Sequence, residues 1–140
     1  MHERRHQLIT EARTWIGTPW RHQGRLKGVA CDCVGVIICV PRALGIVAAD
    51  FDINGYSRFP DPQVMARALD QHLDRIAVGD AIGGDILWVS PRRIAHHLQL
   101  LTFDNTVIHA MDAERGVREH RFDRQRYPVA AAFRYRGIDG

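Results

Sequence analysis

The sequence predicts a single α+β domain, with helices in its first half and an antiparallel sheet in its second. Three observations carry that expectation. Apolar residues recur at helical spacing as far as Ile76, and from residue 80 onward they fall in short runs separated by polar turns. Helices first and strands afterwards argue for segregated layers rather than a parallel sheet with crossovers. The 140 residues, 46% hydrophobic and 25% charged, suffice for one core and not for two. Residues 1–140 are therefore expected to form one domain, without repeats, linker or low-complexity segment.

Residues 3–16 read as a helix whose stripe is Leu8, Ala12, Trp15 and Ile16; Gly17 ends it and Pro19 prevents continuation. Residues 17–32 read as a loop, punctuated by Gly17, Pro19, Gly24 and Gly28. Loops on a rigid frame often line sites, so Trp20 and His22 either line one or are packed and solvated, respectively. Residues 33–44 read as a buried helix of nearly continuous apolar content, ended by Gly45. Pro41 removes one helical N–H and crowds the preceding turn, which predicts a kink near Ile37–Val40 or a stop at Val40. Residues 46–60 read as irregular, with Asn54-Gly55 as a turn. Asp61-Pro62 opens a further helix as N-cap and first-turn proline, with Met65, Leu69, Leu73 and Ile76 as its stripe. Strands are expected at 85–90 and near 96–102, 106–111, 117–122 and 129–135.

Bulk properties narrow the function. No apolar stretch reaches membrane-spanning length. The first residues carry scattered charges and no apolar run, so they do not read as a signal peptide, and the expected location when made is the cytoplasm. Three cysteines cannot all pair within the chain, and reduced thiols are expected. The formal net charge is +3, with dispersed arginines and a cluster from Arg115 to Arg136. No aromatic-interleaved RNA signature or DNA-reading helix stands out, so neither nucleic-acid binding nor membrane insertion is expected.

The chemistry concentrates in Val29–Cys39, where a small polar turn runs into an apolar helix. N–H groups of a first helical turn carry partial positive charge, and a cysteine placed there is expected to have its thiol pKa lowered. Cys33 is so placed, with Asp32 before it as N-cap and Gly35 after it to admit a close backbone. The plainer alternative makes Cys31, Cys33 and Cys39 small buried hydrophobes. Zinc binding by Cys31, Cys33 and two histidines is a further rival, to which the one-residue Cys31–Cys33 spacing is poorly suited. A cysteine nucleophile needs a base with an orienting partner, and the strand region offers His96, His97, His109 and His120. Side chains alternate along a strand, so only one of His96 and His97 shares a face with His109. A turn centred on Asp104 sets Gln99 opposite His109 and His97 on the same face; a turn half a residue away swaps the choice. Leu98, Leu100, Ile108 and Ala110 then form an apolar core side, and His97, Gln99 and His109 a second side. In the alternative, His96-His97 is a solvated strand end and His109 a hydrogen-bonded core histidine.

Four motifs in order complete the picture: Trp15-Ile16-Gly17-Thr18-Pro19-Trp20-Arg21-His22-Gln23, Asp32-Cys33-Val34-Gly35-Val36-Ile37, Gly84-Asp85-Ile86-Leu87, and His97-Leu98-Gln99-Leu100 with Val107-Ile108-His109-Ala110. With them the chain resembles the NlpC-type cell-wall peptidases, small papain-like cysteine hydrolases. It is most similar to the branch encoded in phage tail modules and gene-transfer-agent clusters. The resemblance implies a papain-like (NlpC-type) domain with the nucleophile helix packed on the C-terminal antiparallel sheet. It implies a Cys33–His97–His109 triad without metal or cofactor: Cys33 as nucleophile, His97 as base and then acid, His109 as orienting group. The implied substrate is the peptidoglycan stem peptide, cut between D-glutamate and the diamino acid. Asp32, Val34, Trp20, His22 and Gln99 are the expected substrate-binding residues. Three depart from the family pattern: Trp20 stands at a usual tyrosine, Val34 at a frequent serine, and Gln99 at a frequent glycine, where it would narrow the cleft. The implied partners are phage-tail hub or tip proteins, in a tail-like particle. The rivals are a structural tail protein of the same fold without activity, and an amidase or acyltransferase on another substrate.

Overall fold

The computed structural model describes residues 2–58, 61–91 and 96–140. Helix α1 (Glu3–Arg13) buries Arg5, Leu8, Ile9 and Ala12. It ends before Trp15, which remains in the core, and Ile16, expected on the stripe, is 42% exposed. The chain turns away from the helix axis at Thr14, whose N–H donates to Glu11, so Ile16 loses the helical phase that would have buried it.

The following segment, expected as loop, holds a two-stranded antiparallel ribbon of β1 (Arg25–Leu26) and β2 (Ala30–Cys31). Strands of two residues are too short to show alternation in a sequence. Helix α2 (Cys33–Ala43) starts where expected, with the Gly35 N–H donating to Asp32 Oδ1 at 2.8 Å. It continues through Pro41 rather than stopping at Val40. Pro41 cannot donate to the Ile37 carbonyl, and the buried Tyr135 hydroxyl donates to that carbonyl at 2.7 Å instead. A tyrosine from the last strand region thus completes the helix.

Gly35 is held to glycine by its neighbours. A Cβ there would lie 2.5 Å from the Gly24 carbonyl oxygen and 2.7 Å from Cys31 Sγ. Gly35→Ala is expected to cost about 1–3 kcal/mol, as overpacking against backbone does, read as a lowered urea midpoint at unchanged slope. An unchanged midpoint would mean that the ribbon yields freely.

The irregular stretch contains no helix or strand across 46–58, with Gly55 at φ +76°; residues 59–60 of that expectation lie outside the described residues. Helix α3 (Pro62–His72) is capped by Asp61, which accepts from the Gln63 N–H at 2.8 Å. It stops earlier than expected. Leu73 is extended, and Ile76, expected on the helical stripe, lies in strand β3 (Asp74–Ile76).

Strands β4 (Ile86–Val89), β5 (His97–Leu101), β6 (Thr106–Ala110), β7 (Val117–Arg121) and β8 (Val129–Arg134) fall within the expected runs. They form one antiparallel sheet in the order β3-β8-β4-β5-β6-β7. The β5–β6 register pairs Leu100 with Ile108 and Leu101 with Val107, which centres the turn on Asp104. Asn105 takes φ +58° there, as a three-residue hairpin loop requires. Helix α2 packs on β5 and β6, against the core side formed by Leu98, Leu100, Ile108 and Ala110. The opposite side carries His97, Gln99 and His109 as expected, but it is covered as well. Leu87, Val89, Leu101, Val107, Ala132 and Tyr127 make a second small cluster there.

Candidate active site

The packing of α2 on the sheet leaves a cavity of about 380 Å³ at the helix N-terminus. Cys33 and His97 both line it, with Trp20, His22, Asp32 and Val34. Val34 has its side chain fully buried, and its backbone N–H is directed at the Cys33 sulfur. His109 is fully buried behind His97, with its Nδ1 against His97 Nε2. Gln99 does not border the cavity. It is sealed within the sheet, and among the described residues neither end of its amide has a partner. Its neighbours across the strands are Leu87 and, by register, His109, so a side chain expected to narrow the cleft fills the second cluster instead. Cys31 and Cys39 are buried in the core, apart from the cavity.

The local charge balance differs from the simple expectation for a cysteine at a helix start. Burial pushes the Cys33 thiol up to about 12, and the charge of Asp32 acts in the same direction. The N–H groups of Leu98 and Val34 and the Arg25 guanidinium pull the other way without prevailing. Burial also holds His97 down to about 3, aided by His96 and His120, and holds His109 well below the usual imidazole range. Desolvation penalises thiolate and imidazolium alike, so the resting pair is a neutral thiol and a neutral imidazole. The expected lowering of the thiol pKa is overturned because removal from water outweighs the first-turn N–H groups.

Asp32 is the hub of the cavity wall. Its Oδ1 accepts from the Gly35 N–H and from Arg25 Nη1 at 3.1 Å; its Oδ2 accepts from the Gln23 N–H at 2.7 Å and the Tyr56 hydroxyl at 2.6 Å. Four donors saturate a carboxylate, so its role here is to cap α2 and fasten the preceding loop and the 46–58 stretch to it. Tyr56 also accepts from Arg25 Nη2 at 2.8 Å. A tyrosine hydroxyl therefore does reach the cavity wall, although Trp20 carries none. Burial and the adjacent Asp32 carboxylate hold the Tyr56 phenol well above its usual pKa, so it donates as a neutral hydroxyl. Tyr56→Phe is expected to cost about 1.5–3 kcal/mol, the range for a buried bond to a charged group, measured by urea denaturation. A loss near zero would show that Arg25 and the two backbone donors hold Asp32 unaided.

The remaining wall includes Arg58, Met111, Asp112, Arg126 and Tyr127. The Arg58 guanidinium lies 4.9 Å from the Trp20 ring centroid. Tyr127 backs the histidines: His97 stacks on it at 6.3 Å and His120 at 5.6 Å, and His109 meets it edge-on at 5.5 Å. Tyr56 and Tyr127 were not legible as site residues, and His120, one of four histidines offered as a base, was not singled out. Tyr56 and Tyr127 sit in irregular segments without periodicity. His120 lies on a strand reading Val-Arg-Glu-His-Arg, whose polar residues leave its buried face undefined.

No protein-family model matches the sequence, and no curated protein is detectably similar to it. Solved structures do match. The NlpC/p60 domain of the peptidoglycan hydrolase SagA is 21% identical with a TM-score of 0.66, over 92% of this chain and 97% of that one. NlpC2 of Trichomonas vaginalis is 19% identical with a TM-score of 0.71, over 94% of this chain and 47% of that one. An NlpC/P60 family protein of Bacillus cereus is 21% identical with a TM-score of 0.68, over 94% and 40%. The chain thus spans less than half the length of the latter two. Its fold is the papain-like NlpC/p60 fold, an α+β domain with the cysteine-bearing helix against an antiparallel sheet.

Proposed function

We propose that this chain is a cysteine endopeptidase that hydrolyses an amide bond in peptidoglycan stem peptides. The observation that carries the reading is the cavity shared by Cys33, at the first turn of α2, and His97, whose ring is held by His109. Solved proteins of the same fold that are peptidoglycan hydrolases add support from outside the chain.

On this reading the steps are as follows. His97 Nε2 is engaged by His109, which leaves Nδ1 as the nitrogen for the reacting groups. As Cys33 attacks the peptide carbonyl, its proton passes to His97 Nδ1, a general-base step suited to a neutral resting pair. The backbone N–H of Cys33 at the helix start stabilises the oxyanion. His97 then protonates the departing amine, giving a thioester, and activates the water that releases the acid. Arg58 and Arg126 place positive charge along a wall whose two carboxylates, Asp32 and Asp112, are paired with Arg25 and Arg115, which supports an acidic stem peptide as substrate.

Two finer readings rest on the sequence resemblance alone: the bond is the one from D-glutamate to the diamino acid, and the chain works from a tail-like particle with hub or tip proteins. Digestion of purified peptidoglycan, with mass analysis of the fragments for wild type and Cys33→Ala, tests the activity and the bond together. Fragments released by wild type and not by the variant are the expected result. Release by both, or by neither across a panel of walls, would overturn the reading. Presence of the protein in purified particles is expected, and its recovery only as free protein would contradict the tail assignment.

A further inference from the structure

The histidine chain does not end at His109. His109 Nε2 lies 2.6 Å from His120 Nε2, and His120 Nδ1 lies 2.8 Å from the Arg121 carbonyl oxygen. Three imidazoles thus run in line from the cavity to a partly exposed residue on β7 that borders a second groove of about 630 Å³. We propose that His120 is a positioning residue that fixes the tautomers of His97 and His109 and takes up the positive charge created when Cys33 releases its proton. This rests on the reading of Cys33 and His97 as nucleophile and base.

A backbone carbonyl only accepts, so His120 Nδ1 carries the hydrogen toward Arg121. Neutral His120 then presents a lone pair at Nε2, and His109 must donate to it through Nε2–H. His109 Nδ1 is left as an acceptor, so His97 must donate through Nε2–H. His97 Nδ1 is therefore the bare nitrogen, the form a general base requires. One carbonyl on β7 sets all three rings, and Tyr127 keeps them in place.

The same contacts carry a proton. When Cys33 S–H gives its proton to His97 Nδ1, His97 Nε2–H passes to His109 Nδ1, and His109 Nε2–H passes to His120 Nε2. Three N–H bonds form, while one S–H and two N–H bonds break. His97 ends neutral with a proton at Nδ1, ready for the leaving amine, and the positive charge rests on His120. The two inner rings are poor hosts for that charge, being 9% and 0% exposed; burial depresses the pKa of both. The groove that His120 borders is lined by Arg115, Arg118, Arg121, Arg124 and Arg126 as positive charges and by Glu119 and Asp123 as negative ones. Once the amine has left with the His97 Nδ1 proton, the two relayed protons return inward, from His120 Nε2 to His109 Nε2 and from His109 Nδ1 to His97 Nε2. A solvent proton that enters at His97 Nδ1 drives the same outward shift without substrate: His97 then carries Nδ1–H and ceases to be a base, and the charge rests on the outer ring. The acid limb of the activity profile is accordingly assigned to uptake of one proton by the three-histidine chain as a unit.

Imidazole ¹⁵N NMR of the whole chain reads this directly, alongside peptidoglycan hydrolysis against pH for wild type, His120→Phe and His120→Gln, each checked for an intact melting transition. At alkaline pH, His97 and His109 are expected as Nε2–H tautomers and His120 as Nδ1–H. On acidification, both inner rings switch to Nδ1–H as His120 becomes doubly protonated. His120→Phe is expected to abolish the switch and lower the rate about 10- to 100-fold, less than loss of a direct orienting partner. His120→Gln, whose oxygen still accepts from His109, is expected to restore the alkaline tautomers but not the switch. His109 found as Nδ1–H at alkaline pH, or an acid switch and pH profile unchanged in His120→Phe, would overturn the proposal. The spectra are independent of substrate. The predicted tautomers in a protein inactive on every wall would sink only the functional reading; hydrolysis abolished by Cys33→Ala with other tautomers would sink only the relay.

Discussion

Cys33→Ala is expected to abolish amide hydrolysis, with a loss on the order of 10⁶-fold, as for nucleophiles of hydrolytic triads. The size follows from the mechanism: without sulfur there is no thioester, and only the first-turn N–H groups and substrate binding remain. His97→Ala is expected to lose a comparable amount, because a thiol held near pKa 12 by burial attacks only when its proton is removed. The double variant should be no worse than either single one, since residues acting as a unit are not additive. The fold should survive, because Cys33 is partly open to the cavity and its helix is capped by Asp32 rather than by sulfur. Single-turnover rates on peptidoglycan fragments, with melting curves as the control, make the measurement. Residual activity within tenfold of wild type would exclude Cys33 as nucleophile.

The largest stability effect is expected at Asp85. Its carboxylate is fully buried and accepts from Arg5 Nη1 at 2.9 Å, from Arg134 Nε at 3.0 Å and Nη2 at 2.8 Å, and from the Ile82 N–H at 2.9 Å. Arg5 is itself fully buried and reaches on to the Gly83 carbonyl and both oxygens of Asp139. One carboxylate therefore joins α1, the start of β4 and the end of β8. Asp85→Ala leaves the Arg5 guanidinium short of a buried partner, and breaking a buried pair from one side costs about 3–5 kcal/mol. Domains of this size are stable by roughly 5–15 kcal/mol, so the variant is expected to sit close to unfolding at room temperature. Equilibrium urea denaturation gives the number; a midpoint within error of wild type would show that Asp139 alone satisfies Arg5.

Much of this was readable beforehand, and the reasons differ by element. The strands announced themselves by alternation and by turn residues. A hairpin centred on Asp104, which sets His97 rather than His96 on the face of His109, was one of the two registers the sequence allowed, and the Leu100–Ile108 pairing bears it out. Cys33 was marked by its place after a capping aspartate. What stayed hidden depends on contacts far apart in sequence. A stop at Val40 was one of two expectations because nothing local shows that Tyr135 supplies the missing donor to Ile37. Arg5 gave no sign of burial, since its partners lie 78 or more positions away. Leu73 and Ile76 continue a helical stripe perfectly well, and only pairing with β8 draws residues 74–76 into the sheet. The thiol pKa was misjudged for a similar reason: the first-turn N–H groups are a local property, whereas desolvation by the sheet is a tertiary one.

The central claim is that Cys33 is a nucleophile because His97 serves as its base, and site-resolved alkylation of the free thiols tests it without assuming any substrate. Iodoacetamide at neutral pH, followed by peptide mass mapping over time, is expected to label Cys33 well ahead of Cys31 and Cys39, with the advantage lost in His97→Ala. Cys33 reacting no faster than Cys39, or as fast without His97 as with it, would contradict the account.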